Sequence, residues 1–155
     1  MTARGNRYKI YNAEQRAGLN SGPGATPEGM QAWLDWVATT KFWKENSSVR
    51  HFRVKYPAHP GGMSGATKFM GEGERRIAEI AFGPFSMSLG RACHEATHLT
   101  KGLYREGNDD EQDHGSAFAT MYLRVVKRYM DMESALDLEA AFNYFKVVYD
   151  KNWNG

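Results

Sequence analysis

The chain has 155 residues, 41% hydrophobic and 25% charged, with 20 basic against 18 acidic side chains and a formal net charge of +2. Those values suit one soluble domain over residues 1–155, and the charge balance by itself is too slight to indicate nucleic acid. The single cysteine, Cys93, excludes an intrachain disulfide and any four-cysteine zinc module.

The opening Met1-Thr2-Ala3-Arg4-Gly5-Asn6-Arg7 has no apolar core of a secretory signal, and no apolar run is long enough to span a membrane. A cytoplasmic protein without a membrane partner is expected. Through Lys55 there are 9 basic and 4 acidic residues, and after it 11 and 14. A basic patch for nucleic acid is one reading of that bias, and a solvated surface is the simpler one. Nothing in the pattern speaks to oligomeric state.

Residues 7–11 alternate loosely and fit a short strand, while Ala13 to Ala17 equally fits the start of a helix. Residues 20–25 are a loop by composition. Thr26-Pro27-Glu28 starts a helix that runs to about Trp43, with Met30, Trp33, Leu34 and Val37 as its apolar stripe. Val49 to Tyr56 alternates as a strand with Phe52, Val54 and Tyr56 inward. Residues 57–74 are rich in glycine and proline and read as a long connection or lid over the site. Arg75 to Phe82 is a second strand, with Ala78, Ile80 and Phe82 on one face.

Ser86 or Ser88 can cap the next helix, which closes near Gly102. At 100° per residue, Leu89, Ala92, Cys93, Ala96, Leu99 and Leu103 share one arc. Arg91, His94, Glu95 and His98 share another, nearly opposite, and face a cleft. Residues 104–113 form an acidic connection, and Asp113 can cap a helix to about Met130 with His114, Phe118, Met121, Tyr122, Val125 and Tyr129 on one face. A final helix over about 133–149 buries Leu138, Ala141, Phe142, Phe145 and Val148. Trp33, Trp36, Trp43, Phe142 and Phe145 read as core before any base-stacking platform.

His94-Glu95-Ala96-Thr97-His98 is the H-E-x-x-H pattern of zinc hydrolases. Its histidines lie one turn apart on one helix face, and His114 can supply a third imidazole. Zinc prefers four ligands, so three imidazoles leave one position for water, whose pKa falls toward ~7. Glu95, about 100° around the helix from His94, lies beside the metal and can take and return the proton. Tyr104, Arg105, Tyr122 and Arg91 are within reach as stabilisers of the transition state, with Tyr122 favoured for its position two turns after His114. Asp109 or Asp113 can accept a proton from a ligand imidazole. The acids of 109–113 read as a solvated loop before a second cation site, and His51 and His59 as surface residues. Cys93 reads as a small buried residue.

Cys93-His94-Glu95-Ala96-Thr97-His98-Leu99-Thr100, followed by Asp113-His114-Gly115-Ser116-Ala117-Phe118, resembles the H-E-x-x-H metallohydrolases of actinobacteria and their phages. That family pairs H-E-x-A-H with H-G-x-x-F, and its V-Y-x-A-E segment is similar to Ile10 to Glu14. The pair is more distantly similar to SprT-type proteases. The resemblance implies a minimal zincin with His94, His98 and His114 as ligands of one zinc ion and Glu95 as acid/base. It also implies that Gly115 allows close approach and that Phe118 packs beneath the third ligand. Thr97 stands where the family usually has alanine, and the chain lacks the cysteine zinc ribbon of many SprT-like proteins.

The expected fold is α+β, with a small, mostly antiparallel sheet packed on helices and Arg75 to Phe82 as the edge that holds an extended peptide. The expected activity is zinc-dependent endopeptidase on protein or peptide. Hydrolysis of a non-peptide amide, such as a small molecule or peptidoglycan fragment, and a non-enzymatic zinc-stabilised binding module are the alternatives.

Overall fold

A computed structural model describes residues 3–20, 25–57, 66–71, 75–83, 87–103 and 114–155, without the side chains of 3–5, 66 and 68. The expected roles of His59, Ser86, Tyr104, Arg105, Asp109 and Asp113 lie outside the described residues.

Helix α1 (Ala3–Arg16) opens the chain, so the strand reading of residues 7–11 is corrected. Its fully enclosed positions are Asn6, Ile10, Ala13 and Glu14, at helical spacing. Two of these four are polar, which breaks the apolar period on which sequence reading depends. Helix α2 (Pro27–Thr39) starts as expected, with Thr26 Oγ1 accepting from Gly29 N at 3.0 Å. It ends earlier than expected. Thr40 is extended (φ −77°, ψ 150°), closes α2, and caps a separate helix α3 (Lys41–Asn46) by accepting from Trp43 N. Its hydroxyl also meets Tyr129 Oη at 2.6 Å, so the break is tied to a distant helix.

The sheet has three strands, β1 (His51–Lys55), β2 (Ala66–Phe69) and β3 (Ile77–Ala81), in the order β1-β3-β2. β3 pairs parallel with β1 and antiparallel with β2, so the sheet is mixed where a mostly antiparallel one was expected. β3 is central, which corrects its reading as the peptide-holding edge. Ala78, Ile80 and Phe82 are fully buried, as their alternation requires. On the other face Glu79 is buried and meets Arg53 Nε at 3.7 Å, while Ile77 is exposed. Tyr56, expected inside, is exposed. β1's own edge is occupied: the Gln31 amide of α2 donates to Phe52 O at 2.7 Å and accepts from Val54 N at 2.9 Å. Within 57–74, expected to be wholly a connection, residues 66–69 form β2.

Helix α4 (Leu89–Thr97) is capped by Ser88, whose Oγ accepts from Arg91 N at 3.1 Å. It ends at His98, before the expected Gly102, and turns follow. Every residue from Gly90 to Thr97 is buried, so of the arc expected to face a cleft Arg91, His94 and Glu95 are covered and His98 is half-buried. Leu89, expected in the core, is 39% exposed. Helix α5 (Ser116–Tyr129) presents Phe118, Tyr122, Val125 and Tyr129 inward, with Gly115 at its N-cap. Helix α6 (Met132–Phe145) is capped by Asp131 Oδ1 and closes on Lys146 in the left-handed region (φ 59°). Val148 lies beyond it and is exposed, as is Trp36 at 48%, against the expectation for both. The elements share one apolar core that includes Trp43, Phe82, Phe118 and Phe142. The chain is therefore α+β. No helix among the described residues is long and apolar enough to cross a membrane.

Two helix ends meet at Gly90. A Cβ there would lie 2.1 Å from Leu19 O, and Ser88 Oγ donates to the same carbonyl at 3.2 Å. Glycine thus lets the turn after α1 sit directly on the first turn of α4. Gly90→Ala is expected to lower stability by about 1–3 kcal/mol, because backbone is what blocks the methyl; urea unfolding measures this, and an unchanged midpoint would contradict the close approach. Cys93 is fully buried, and burial pushes its thiol pKa up. It should react with a thiol reagent such as Ellman's only after denaturation, and rapid labelling of the native chain would refute the packing.

Candidate metal centre

α4 carries His94 and Glu95 in its last turn, with His98 as its C-cap. His114 precedes α5, which packs against α4. The three imidazoles converge: ring centroids are 5.2 Å apart for His94–His98 and His94–His114, and 4.7 Å for His98–His114. One ligand nitrogen from each lies within 4.8 Å of the other two, close enough for the three to bind a metal ion. His94 Nε2 and His114 Nε2 are 3.2 Å apart. Two nitrogens on one tetrahedral zinc, with bonds of ~2.0–2.1 Å, lie about 3.3–3.4 Å apart, so the pair fits a shared ion. Phe118 is fully buried with its ring 5.0, 4.6 and 4.8 Å from those of His94, His98 and His114. It forms the floor beneath all three.

Helix α1 supports the cluster from the other side. Asn6 Nδ2 donates to His114 O at 2.8 Å and anchors the third imidazole's backbone. The Tyr11 ring stacks on His94 (5.6 Å, 18°) and presents an edge contact to His114 (5.6 Å, 61°). The fully buried Glu14 carboxylate hydrogen-bonds His94 Nδ1 through Oε1. With the proton on Nδ1, His94 Nε2 keeps its lone pair for a metal. For His94 that partner comes from α1, while the acids of 104–113 lie outside the described residues.

Arg91 is buried between two carboxylates. Its Nη1 donates to Glu14 Oε2 at 3.4 Å, and its Nε lies 3.8 Å from Glu95 Oε1. Burial opposes the guanidinium's charge, but Glu14 and Glu95 outweigh it and its pKa is raised. Burial pushes the carboxyl of Glu14 up to about 8, with Arg91 pulling the other way. Glu95 is likewise pushed to about 8 by burial, against Arg91 and a hydrogen bond from the Thr67 side chain of β2. Burial and then the Arg91 charge hold His94 well below the usual histidine range; burial, His94 and Arg91 do the same for His98. Neutral imidazoles offer a cation their lone pairs without proton competition.

Tyr122 is fully buried and its hydroxyl donates to Gly90 O at 3.3 Å. That hydrogen bond ties α5 to the first turn of α4. His51 is exposed, as expected. Sequence reading missed Asn6, Tyr11, Glu14 and Thr67. Asn6, Ile10, Ala13 and Glu14 at helical spacing were the available signal, as were Tyr11 and Glu14 one turn apart. Comparison with family models, curated proteins and solved structures returns no match.

Removing the carboxylate in Glu14→Ala should weaken capture of an added divalent metal ion by the three imidazoles about 10–100-fold, measured by competition with a chromophoric chelator. Unchanged affinity would show that His94 is held in place without it.

Proposed function

We propose that the chain is a zinc-dependent hydrolase of the minimal zincin kind, acting on peptide bonds. The observation that carries this reading is the convergence of His94, His98 and His114 with Glu95 alongside, its carboxylate tied to Arg91 and Thr67. The three imidazoles would hold one zinc ion, which supplies a water of lowered pKa and polarises a carbonyl. Glu95 takes a proton from the attacking water and passes it to the leaving amine. Arg91 and Thr67 hold its carboxylate from two sides, which limits the orientations that must be sampled before each transfer. Phe118 and Tyr11 wall the centre with rings and keep bulk water from His94.

The strand that suits an extended peptide is β2. It is the outer strand on the side away from β1, and Thr67 ties it to Glu95. A peptide paired along that edge would run past the proton-transferring carboxylate. β1 offers no equivalent, since Gln31 occupies its edge.

One observation favours a second reading, hydrolysis of a smaller non-peptide amide: His94, Glu95 and His114 are 1%, 5% and 4% exposed. Size selection separates the two, because an enclosed centre would accept N-acyl amino acids or peptidoglycan fragments and reject peptides that cross β2.

Glu95→Gln should retain zinc at one ion per chain and lower turnover by at least ~100-fold. Metal content and cleavage of a mixed peptide library are the measurements; unchanged turnover would falsify the mechanism.

A further inference from the structure

The expected stabiliser, Tyr122, is committed to Gly90 O, so a donor for the developing oxyanion must come from elsewhere. Tyr11 has the required placement. Its ring lies against two of the three metal-binding imidazoles, stacked on His94 and edge-on to His114. It is only partly buried, unlike the His94 and His114 imidazoles it covers. Its hydroxyl makes no hydrogen bond among the described residues, and the charged groups in its field are Arg91, Glu95, Glu14 and Arg7. The Arg91 guanidinium, which pairs with Glu95, lies 5.5 Å from the ring centre, so the Tyr11 ring sits beside the Arg91–Glu95 pair. A tyrosine fixed by ring packing beside the Arg91–Glu95 pair, its O–H without a hydrogen bond among the described residues, suits a tetrahedral oxyanion.

We infer that Tyr11 is a catalytic hydrogen-bond donor, its hydroxyl stabilising the oxyanion formed when the substrate carbonyl is attacked. This rests on the hydrolase reading above. The phenol keeps its proton throughout: the oxyanion forms as the C–O bond is made, Tyr11 O–H donates to it, and the C–N bond breaks with Glu95 supplying the amine's proton. Arg91 supports the arrangement from beneath the Tyr11 ring while pairing with Glu95 and Glu14.

The test is Tyr11→Phe in the zinc-loaded full chain, which keeps the ring against His94 and His114 and removes only the hydroxyl. The probe is a mixed peptide library, followed by kinetics on one quenched fluorogenic peptide that the wild-type chain cleaves. Loss of an oxyanion donor lowers kcat about 100–1,000-fold, while KM stays within about threefold. Zinc affinity should stay within about twofold, since no metal contact or Nδ1 partner is lost. Wild-type kcat in Tyr11→Phe, beside an inactive Glu95→Gln, overturns the Tyr11 assignment and leaves the hydrolase reading intact. Zinc loss in Tyr11→Phe also overturns it, because the hydroxyl would then be a structural support. A wild-type chain that binds zinc but cleaves nothing in the library overturns the peptidase reading and the assignment together.

Discussion

Everything at the centre depends on one buried carboxylate. Glu14 is fully enclosed, and a lone carboxylate there would be expensive to ionise. Two groups offset that cost, the Nδ1 of His94 and the guanidinium of Arg91. The same contacts fix the His94 ring and place Arg91 within reach of Glu95. One side chain of α1 thus orients one of the three clustered imidazoles and, through Arg91, the Glu95 carboxylate. A cation among the imidazoles would favour the charged form of Glu14, so metal binding and the charge of this cluster support each other.

That arrangement needs α1 and α4 to approach closely, and Gly90 permits it. Leu19 O sits where any side chain at 90 would be. Ser88 bonds the same carbonyl while capping α4, and Tyr122 bonds the Gly90 carbonyl from α5. Three helices therefore converge on the first turn of α4, one turn before His94. The covered polar face of α4 follows from this docking: α1 lays Tyr11 and Glu14 over residues that would otherwise line an open cleft.

The order of the strands also depends on contacts remote in sequence. The alternation of Phe52 against its neighbours and of Ala78, Ile80 and Phe82 identifies two strands correctly, because a half-buried strand writes its period into the chain. Which strand is central is not written there. Neighbour order depends on where the chain crosses over, and β2 is four residues inside a segment whose glycine content reads as connection. The break at Thr40 is of the same kind. Composition allows one long helix, and the hydroxyl contact to Tyr129 accompanies its division into two.

The sequence by itself determined the α+β class, the principal helices and the spacing that sets His94 and Glu95 on one turn with His98 at its end. Backbone connectivity dictates these, since residues four apart on a helix share a face whatever surrounds them. The motif already pointed to His114 and Phe118 beside that pair, whereas the central place of β3 and the support from Asn6, Tyr11 and Glu14 were decided only by tertiary structure. Glu14 and Arg91 are 77 positions apart, and Asn6 and His114 are 108 apart. No local period links such residues. Their polar side chains also interrupt the apolar stripe of α1, so its pattern fits a strand as readily as a helix.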